Sequence, residues 1–481
     1  MSDSSKLEKI KELVKEYIEE NSKEWNRGKD FVRYSGPHMD ASEYQAAVET
    51  LLGGWFIFGE KSREFENKFS KVVDRKFGAL TNSGSSANLL MISALKSNSK
   101  INKWRLKDGD KVITPVVCFP TTLNPILQNN LVPIFFDVTL PSLNIDLDRV
   151  EQVLDMWDQQ NPNDEKPKAI MFAHVLGNPP DMDRLMRICD KHNLILLEDC
   201  CDALGSTYKG KKLGTFGLMS TTSFFPAHHM TMGEGGFIAT DEHRLKTILN
   251  SFRDWGRACY CNEMKPGDVT EGTACGNRFA DWLPGLPEVP YDHRYVFDEI
   301  GYNLKPLDLQ ASIGLEQIKK LPEMDQARRD NFNKLYNIFS KYEDSFYLPE
   351  ATDGADPCWF GFLLTIKEQA EFSKQEIVDF FEENKIQTRS YFTGNALAHP
   401  AYYNKYKNLH LDAGGSLESF EQDYQATVDS FMVANYVTEN TFFLGTFIGL
   451  TDDMLDYIGE TLDRFMNGER ACGCKSCDCG K

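Results

Sequence analysis

From about residue 75 to 255 the chain alternates short apolar runs with helix-patterned stretches, and nothing else in it constrains the fold as strongly. The runs are FGALTNSG, KVITP, VPIFFDV, KAIMFAHV, LILLEDC, STTSFF and GGFIATD, with helical segments such as DMDRLMRICDKHN between several of them. This alternation predicts an α/β domain whose largely parallel sheet is covered on both faces. In such sheets ligands collect at the carboxyl ends of strands. Many of the polar clusters discussed below follow a strand.

Residues 257–300 break the rhythm, being rich in glycine, proline, cysteine and aromatics. A helical pattern resumes near Asp308–Lys320, and beyond about 330 a different mixture follows, with FLLTI and SKQEIVDFFEENK in it. The expected organisation is a helical segment at 1–30, a large domain at 31–330 that includes the excursion at 257–300, a smaller C-terminal α+β domain at 331–468, and a cysteine-rich tail at 469–481. In the first segment Leu7, Ile10, Leu13, Val14, Tyr17 and Ile18 fall at helical spacing and form one apolar stripe.

Charge and cysteine content exclude some functions. A formal charge of −19 over 481 residues argues against nucleic acid or an anionic membrane as the main partner. The N-terminus MSDSSKLEKIKELVKEYIEE lacks the apolar core of a signal peptide, and no run approaches the ~18–20 apolar residues of a membrane span. A cytoplasmic location is therefore expected. Thiols stay reduced there, so the 12 cysteines read as packing residues or metal ligands, not as a disulfide framework.

Three stretches carry chemistry. TNSGSSANLL (81–90) follows a strand and opens a helix, and its small residues let backbone N–H groups face a phosphate. The same composition also makes an ordinary helix cap. LILLEDCCDALGS (194–206) is a buried-type strand ending in two carboxylates, where a desolvated charge needs a partner. A pyridinium nitrogen kept protonated by Asp199 is one such partner; the N–H groups of the next turn are another. SFFPAHHMTMGEGG (223–236) has a serine at its head, a Gly-Glu-Gly-Gly turn behind it, and His228 and His229 between.

The order of these elements is informative: the small-residue turn, Phe119 in CFPTTLN, the Glu-Asp strand end, the loop from Ser223, then GYNLKPLDLQASIG at 301–314. In that order they resemble the DegT/DnrJ/EryC1/StrS sugar aminotransferases, a family of fold-type I pyridoxal-phosphate enzymes, over most of residues 30–465. The resemblance implies an aminotransferase-like fold with a large mainly parallel sheet domain and a smaller C-terminal α+β domain. By the same resemblance Ser85 and Ser86 match the phosphate turn, Ser223 the phosphate-binding serine and Phe119 the aromatic that stacks on the cofactor ring. Asp199 matches the carboxylate on the pyridine nitrogen, and Asp202 is expected at the cofactor's 3′ oxygen. Asn303 matches an asparagine that reaches the neighbouring subunit's phosphate, which implies a homodimer.

His228 stands where the family has its Schiff-base lysine, five residues after Ser223 and five before Gly233. Imidazole cannot form that bond, but it moves protons near neutral pH. A decayed, inactive homologue is one explanation. The intact remainder of the site favours another, a branch similar to the 3-dehydrases of deoxysugar synthesis, which hold pyridoxamine phosphate without a covalent bond. That likeness implies loss of the C3 hydroxyl from a nucleotide-linked 4-keto-6-deoxyhexose, CDP-4-keto-6-deoxy-D-glucose foremost, with His228 taking a proton from the cofactor. Phe225 departs from the pattern, since the branch has a tyrosine there.

Part of this branch carries a [2Fe–2S] cluster, marked by a cysteine at the strand end, a Cys-x-Cys downstream and a fourth cysteine soon after. Here Cys201 is followed by 57 residues, then Cys259 and Cys261, then Cys275 after 13 more, a wider final gap than is usual. Four thiolates suit a two-iron cluster and equally a structural zinc ion; the place of Cys201, two residues from Asp199, favours iron. The adjacent Cys200 does not fit the spacing. The implied electron donor is a flavin- and iron–sulfur-containing NAD(P)H reductase. Cys118, Cys189 and Cys358 read as core residues, and the pattern assigns no role to Cys472, Cys474, Cys477 and Cys479 in the tail. Two rival functions remain: a cluster-independent dehydratase that recovers its amine from glutamate, and a non-catalytic cofactor-binding redox sensor.

Overall fold

The computed structural model describes residues 3–160, 166–258 and 278–469. Each of the seven apolar runs forms one strand of a single sheet: β1 (Phe77–Thr81), β2 (Lys111–Pro115), β3 (Val132–Phe136), β4 (Ala169–Ala173), β5 (Ile195–Asp199), β6 (Met219–Ser223) and β7 (Gly236–Thr240). Their order is β1-β7-β6-β5-β4-β2-β3. β7 lies antiparallel to both β1 and β6, and the other pairings are parallel. The central strands are buried at nearly every position. They are covered on both faces, so buried and exposed positions do not alternate along them.

Four helices position the site: α1 (Glu60–Val72), α2 (Gly84–Lys96), α3 (Pro120–Gln128) and α4 (Asp308–Phe339). α2 begins directly after β1 because Ser83 is extended and its Oγ accepts the Ser86 N–H at 3.1 Å. α3 starts on Pro120, where the missing N–H costs nothing. From α1, Phe65 and Phe69 pack edge-on against Phe224 and Phe237 with ring centroids 4.9–6.3 Å apart. Contacts of this kind add roughly 1 kcal/mol each beyond their buried area, and they brace the loop between β6 and β7 from behind. Beside them Glu66 is buried. Burial would raise its carboxyl, but Lys246 and Arg253 outweigh that and hold it at about 2.

The helix expected near Asp308–Lys320 runs on to Phe339. It passes through Pro322 at the loss of one backbone donor, so a boundary at 330 would cut this helix. Beyond it, β8 (Gly361–Ile366), β9 (Arg389–Ser390) and β10 (Thr441–Gly445) form an antiparallel sheet ordered Phe346–Tyr347, β8, β10, β9. Phe339, Phe346, Phe362, Phe381 and Phe442 fill its core. The described part of the excursion holds a short antiparallel pair, Phe279–Ala280 with Tyr291–Asp292. At the N-terminus a helix spans Asp3–Glu20 and leaves Leu13 and Tyr17 63% and 66% exposed, so part of its apolar stripe has no cover among the described residues. No helix among the described residues is long and apolar enough to cross a membrane.

Candidate active site

At the carboxyl end of β5, Asp199 is buried yet well supplied with donors. Its Oδ2 accepts from Asn88 Nδ2 at 2.8 Å and from Thr122 Oγ1 at 2.7 Å, and its Oδ1 accepts from the Cys201 N–H at 3.1 Å. Asn88 comes from α2 and Thr122 from α3, and Thr221 of β6 fixes the amide by donating to Asn88 Oδ1 at 2.6 Å. The carboxylate is thus oriented by three separate elements. Asn88, Thr122 and Thr221 were missed at the sequence level; the available signal was a polar residue on an otherwise buried helix face.

The turn that opens α2 meets the end of β6. A Cβ added to Gly84 would fall 2.4 Å from Ser223 Cβ and 2.7 Å from its Oγ, and one on Gly236 would fall 2.1 Å from the Ser83 carbonyl oxygen. Only glycine fits this cradle. Ser223 is buried and Ser85 exposed; the Ser85 hydroxyl donates to Thr121 Oγ1 at 3.2 Å, and Ser86 pairs with Ser83 Oγ. Asn82 Oδ1 is buried there without a partner among the described residues. Phe119, just before α3, is 46% exposed and stands edge-on to Phe392 at 5.5 Å. Asn303 is exposed, and the carbonyl of the next residue, Leu304, accepts the Asn82 N–H at 2.9 Å, so its backbone runs beside the same turn.

The two histidines part company. His229 is buried, its Nε2 donates to the Cys358 carbonyl at 2.7 Å, and burial together with the nearby Arg328 pushes its ring well below the ordinary histidine range. It is a neutral packing residue. The His228 ring lies against Phe360 at 5.3 Å, with Asp202 Oδ1 at 3.2 Å from a buried Nδ1. Asp202 is itself buried; burial pushes its carboxyl up and His228 opposes that. Arg328, also buried, donates from Nη2 to the His228 carbonyl at 3.1 Å, fixing the backbone of the loop. Neither Phe360 nor Arg328 was anticipated.

Of the four cysteines expected to act together, Cys201 is described, while Cys259, Cys261 and Cys275 lie outside the described residues, as do the tail cysteines. Burial and the adjacent Asp199 push the Cys201 thiol well up. Cys118, Cys189 and Cys358 are buried. Among the described residues the group with metal-ligand proximity is a different one, His174, Glu198 and Cys200. Glu198 is already occupied, accepting from the N–H groups of Gly214, Phe216 and Gly217 at 2.6–2.9 Å with His174 Nε2 at 3.1 Å.

A lipopolysaccharide biosynthesis protein RfbH of Salmonella typhimurium is 41% identical over 97% of this chain and 99% of its own length. A dTDP-4-dehydro-2,6-dideoxy-D-glucose 3-dehydratase of Saccharopolyspora spinosa is 40% identical over 95% of this chain and 92% of its own. Among solved structures, an E. coli GDP-4-keto-6-deoxy-D-mannose-3-dehydratase with bound hydrated PLP superposes with a TM-score of 0.71 at 30% identity, covering 90% of this chain and 99% of that one. The fold is that of the pyridoxal-phosphate-dependent aminotransferases. Residues 37–416, which hold the strand-end carboxylates, the glycine cradle and the histidine loop, match one family throughout, and the chain belongs to the DegT/DnrJ/EryC1/StrS aminotransferase family.

Proposed function

We propose that this chain is a pyridoxamine-phosphate-dependent 3-dehydratase acting on a nucleotide-linked 4-keto-6-deoxyhexose, CDP-4-keto-6-deoxy-D-glucose in the most specific form of the reading. The observation that carries it is His228, with Asp202 at 3.2 Å, in the place of the family's lysine. Relatives named as 3-dehydratases of dTDP- and GDP-linked sugars support the reaction class.

The pocket fits the cofactor. The cradle of Gly84 and Gly236, the helix N-terminus at Ser83 and the hydroxyls of Ser85, Ser86 and Ser223 suit a phosphate. Asp199, oriented by Asn88 and Thr122, suits a pyridinium nitrogen. Phe119 offers an exposed face for stacking, and Asn303, exposed beside the turn, serves the phosphate of a second subunit in a homodimer. When bound, pyridoxamine phosphate supplies a primary amine for the sugar's C4 ketone and a ring that takes up an electron pair. Within the protein, Asp199 keeps a negative charge against the ring nitrogen. His228 holds and moves the proton at the cofactor's C4′ carbon, and Asp202 stabilises the imidazolium that results.

The cluster reading places [2Fe–2S] on Cys201, Cys259, Cys261 and Cys275, with a flavin- and iron–sulfur-containing NAD(P)H reductase as donor in the cytoplasm. The spacing of the four cysteines supports it.

Borohydride treatment of protein loaded with pyridoxal phosphate is expected to leave no cofactor covalently attached, and His228→Lys should gain such an adduct. A lysine adduct in the native protein overturns the dehydratase reading. Protein purified without oxygen is expected to be brown, with about two irons and two sulfides per chain; zinc alone at these thiols overturns the cluster.

A further inference from the structure

Asp137 directly follows β3 and lies half-buried at the carboxyl end of that edge strand. Its carboxylate reaches the far end of the sequence. Oδ2 accepts the Val433 N–H at 3.0 Å, and Oδ1 accepts the Ala434 N–H at 2.9 Å and the adjacent Val138 N–H at 2.8 Å. Val433 and Ala434 open the helix Met432–Asn440, whose own N-cap, Phe431, makes no side-chain capping bond. A helix leaves its first four N–H groups without partners inside it and favours negative charge there. Asp137 meets both needs from 296 residues away.

The capped helix in turn grips the segment after β9. Ala434 carries both ends of the grip: Asp137 binds its N–H, and its carbonyl accepts from Thr438 Oγ1 at 2.7 Å. The same Thr438 oxygen accepts the Asn395 N–H at 2.7 Å, and Asn435 Oδ1 accepts from Asn395 Nδ2 at 2.8 Å. The approach is close, since a Cβ on Gly394, at φ 55°, would fall 2.2 Å from Thr438 Oγ1. On its other side the segment is tied to the wall of the site. Thr393 Oγ1 donates to the Cys118 carbonyl at 2.6 Å, the Ala396 N–H donates to the Val116 carbonyl at 3.0 Å, and Asn395 bridges Val117. The Val116 N–H donates to the Phe136 carbonyl at 2.9 Å, which closes the circuit at the residue before Asp137. Just beyond this tie α3 begins, and its Thr122 is one of the two side chains that orient Asp199.

We infer that Asp137 is a positioning residue for the site: by capping the helix Met432–Asn440 it clamps residues 393–396 against Val116–Cys118 and so fixes the start of α3. The inference rests on the reading of that site as one for pyridoxamine phosphate, and the test separates the two. Amide hydrogen exchange is measured on the full-length protein, and binding of pyridoxamine 5′-phosphate is followed through the cofactor's own absorbance. Asp137→Asn replaces one of the two accepting oxygens by a donor. Exchange at residues 394–397 should then quicken about tenfold or more, together with exchange at Val433 and Ala434, while β5 exchanges as before. Affinity for the cofactor should fall about tenfold, the worth of one ordinary hydrogen bond. Quickening confined to Val433 and Ala434 would make Asp137 a helix cap alone, and equal quickening in β5 would make it a general stabiliser; either overturns the inference. So does a cofactor affinity within about twofold of the native value. If Asp137→Asn does not fold, Thr438→Val removes the hydroxyl that joins Ala434 to Asn395 and keeps the shape of the side chain. It should quicken exchange at 394–397 and weaken cofactor binding in the same way, and native behaviour in that variant overturns the inference. If the native protein binds no pyridoxamine 5′-phosphate, the functional reading fails, while the exchange pattern still decides the clamp.

Discussion

Glu198 and Asp199 are neighbours at the end of β5 and almost equally buried, at 0% and 3% exposure, yet they face opposite sides of the sheet into different surroundings. Glu198 looks into a closed set of donors, three backbone N–H groups of the 214–217 turn and His174. Burial would raise its carboxyl, but His174 and the N–H groups of Gly217 and Gly214 overcome that and hold it below the usual range. Asp199 is held by two side chains and one N–H, from Asn88, Thr122 and Cys201. The comparison teaches that burial of a carboxylate does not mark a function. A carboxylate saturated by backbone N–H groups ties strands to turns, whereas Asp199 is oriented mainly by two side chains from separate helices, an arrangement suited to a ligand.

The sharpest way to break this comparison is to neutralise each acid in turn. Asp199→Asn is expected to keep the fold and lower dehydration by about 10³-fold, roughly 4 kcal/mol of transition-state stabilisation. Turnover and thermal unfolding measured on one preparation check it, and a loss of stability in place of activity would erase the distinction. Glu198→Gln should do the reverse. It sets an amide against three N–H donors and is expected to cost about 3 kcal/mol of folding stability, read by chemical denaturation. Because the folded carboxyl is depressed, the native residue's contribution is present above the unfolded carboxylate range and is lost as the pH falls through the lower folded value. The gap between native and variant should therefore close in acid.

The two adjacent histidines sharpen the same contrast with a smaller effect. His229 is held neutral in the folded protein, so the unfolded chain binds a proton that the folded one refuses. Its contribution is full above the unfolded histidine pKa of about 6.5 and falls by up to ~1.4 kcal/mol per pH unit below it. His229→Asn should flatten that slope, cost about 1 kcal/mol at neutral pH for the lost bond to Cys358, and leave turnover within a few-fold. If His229→Asn abolishes dehydration while His228→Asn does not, the assignment between the two rings is reversed.

The sequence by itself determined the seven-stranded sheet, because strand and helix periodicities are local and each apolar run needs cover on both faces wherever it lies in the chain. It also pointed to the strand ends, where ligands of such sheets gather, and the resemblance to the family set His228 where that family has its lysine. Periodicity did not reveal that α4 continues past Lys320, because one proline removes a single donor from a helix otherwise held by its buried face. Only the tertiary structure decided which groups surround each acid. Asn88 and Asp199 are 111 residues apart and Thr122 and Asp199 77 apart, and nothing local links them. The folded chain likewise turned His229 toward Cys358, 129 residues away, and brought Thr393 alongside the segment before Phe119. The physical reason is common to all of these. A backbone pattern repeats every two or 3.6 residues and can be read in a short window, whereas a hydrogen-bond partner is chosen by whichever distant segment the packed core brings within 3 Å.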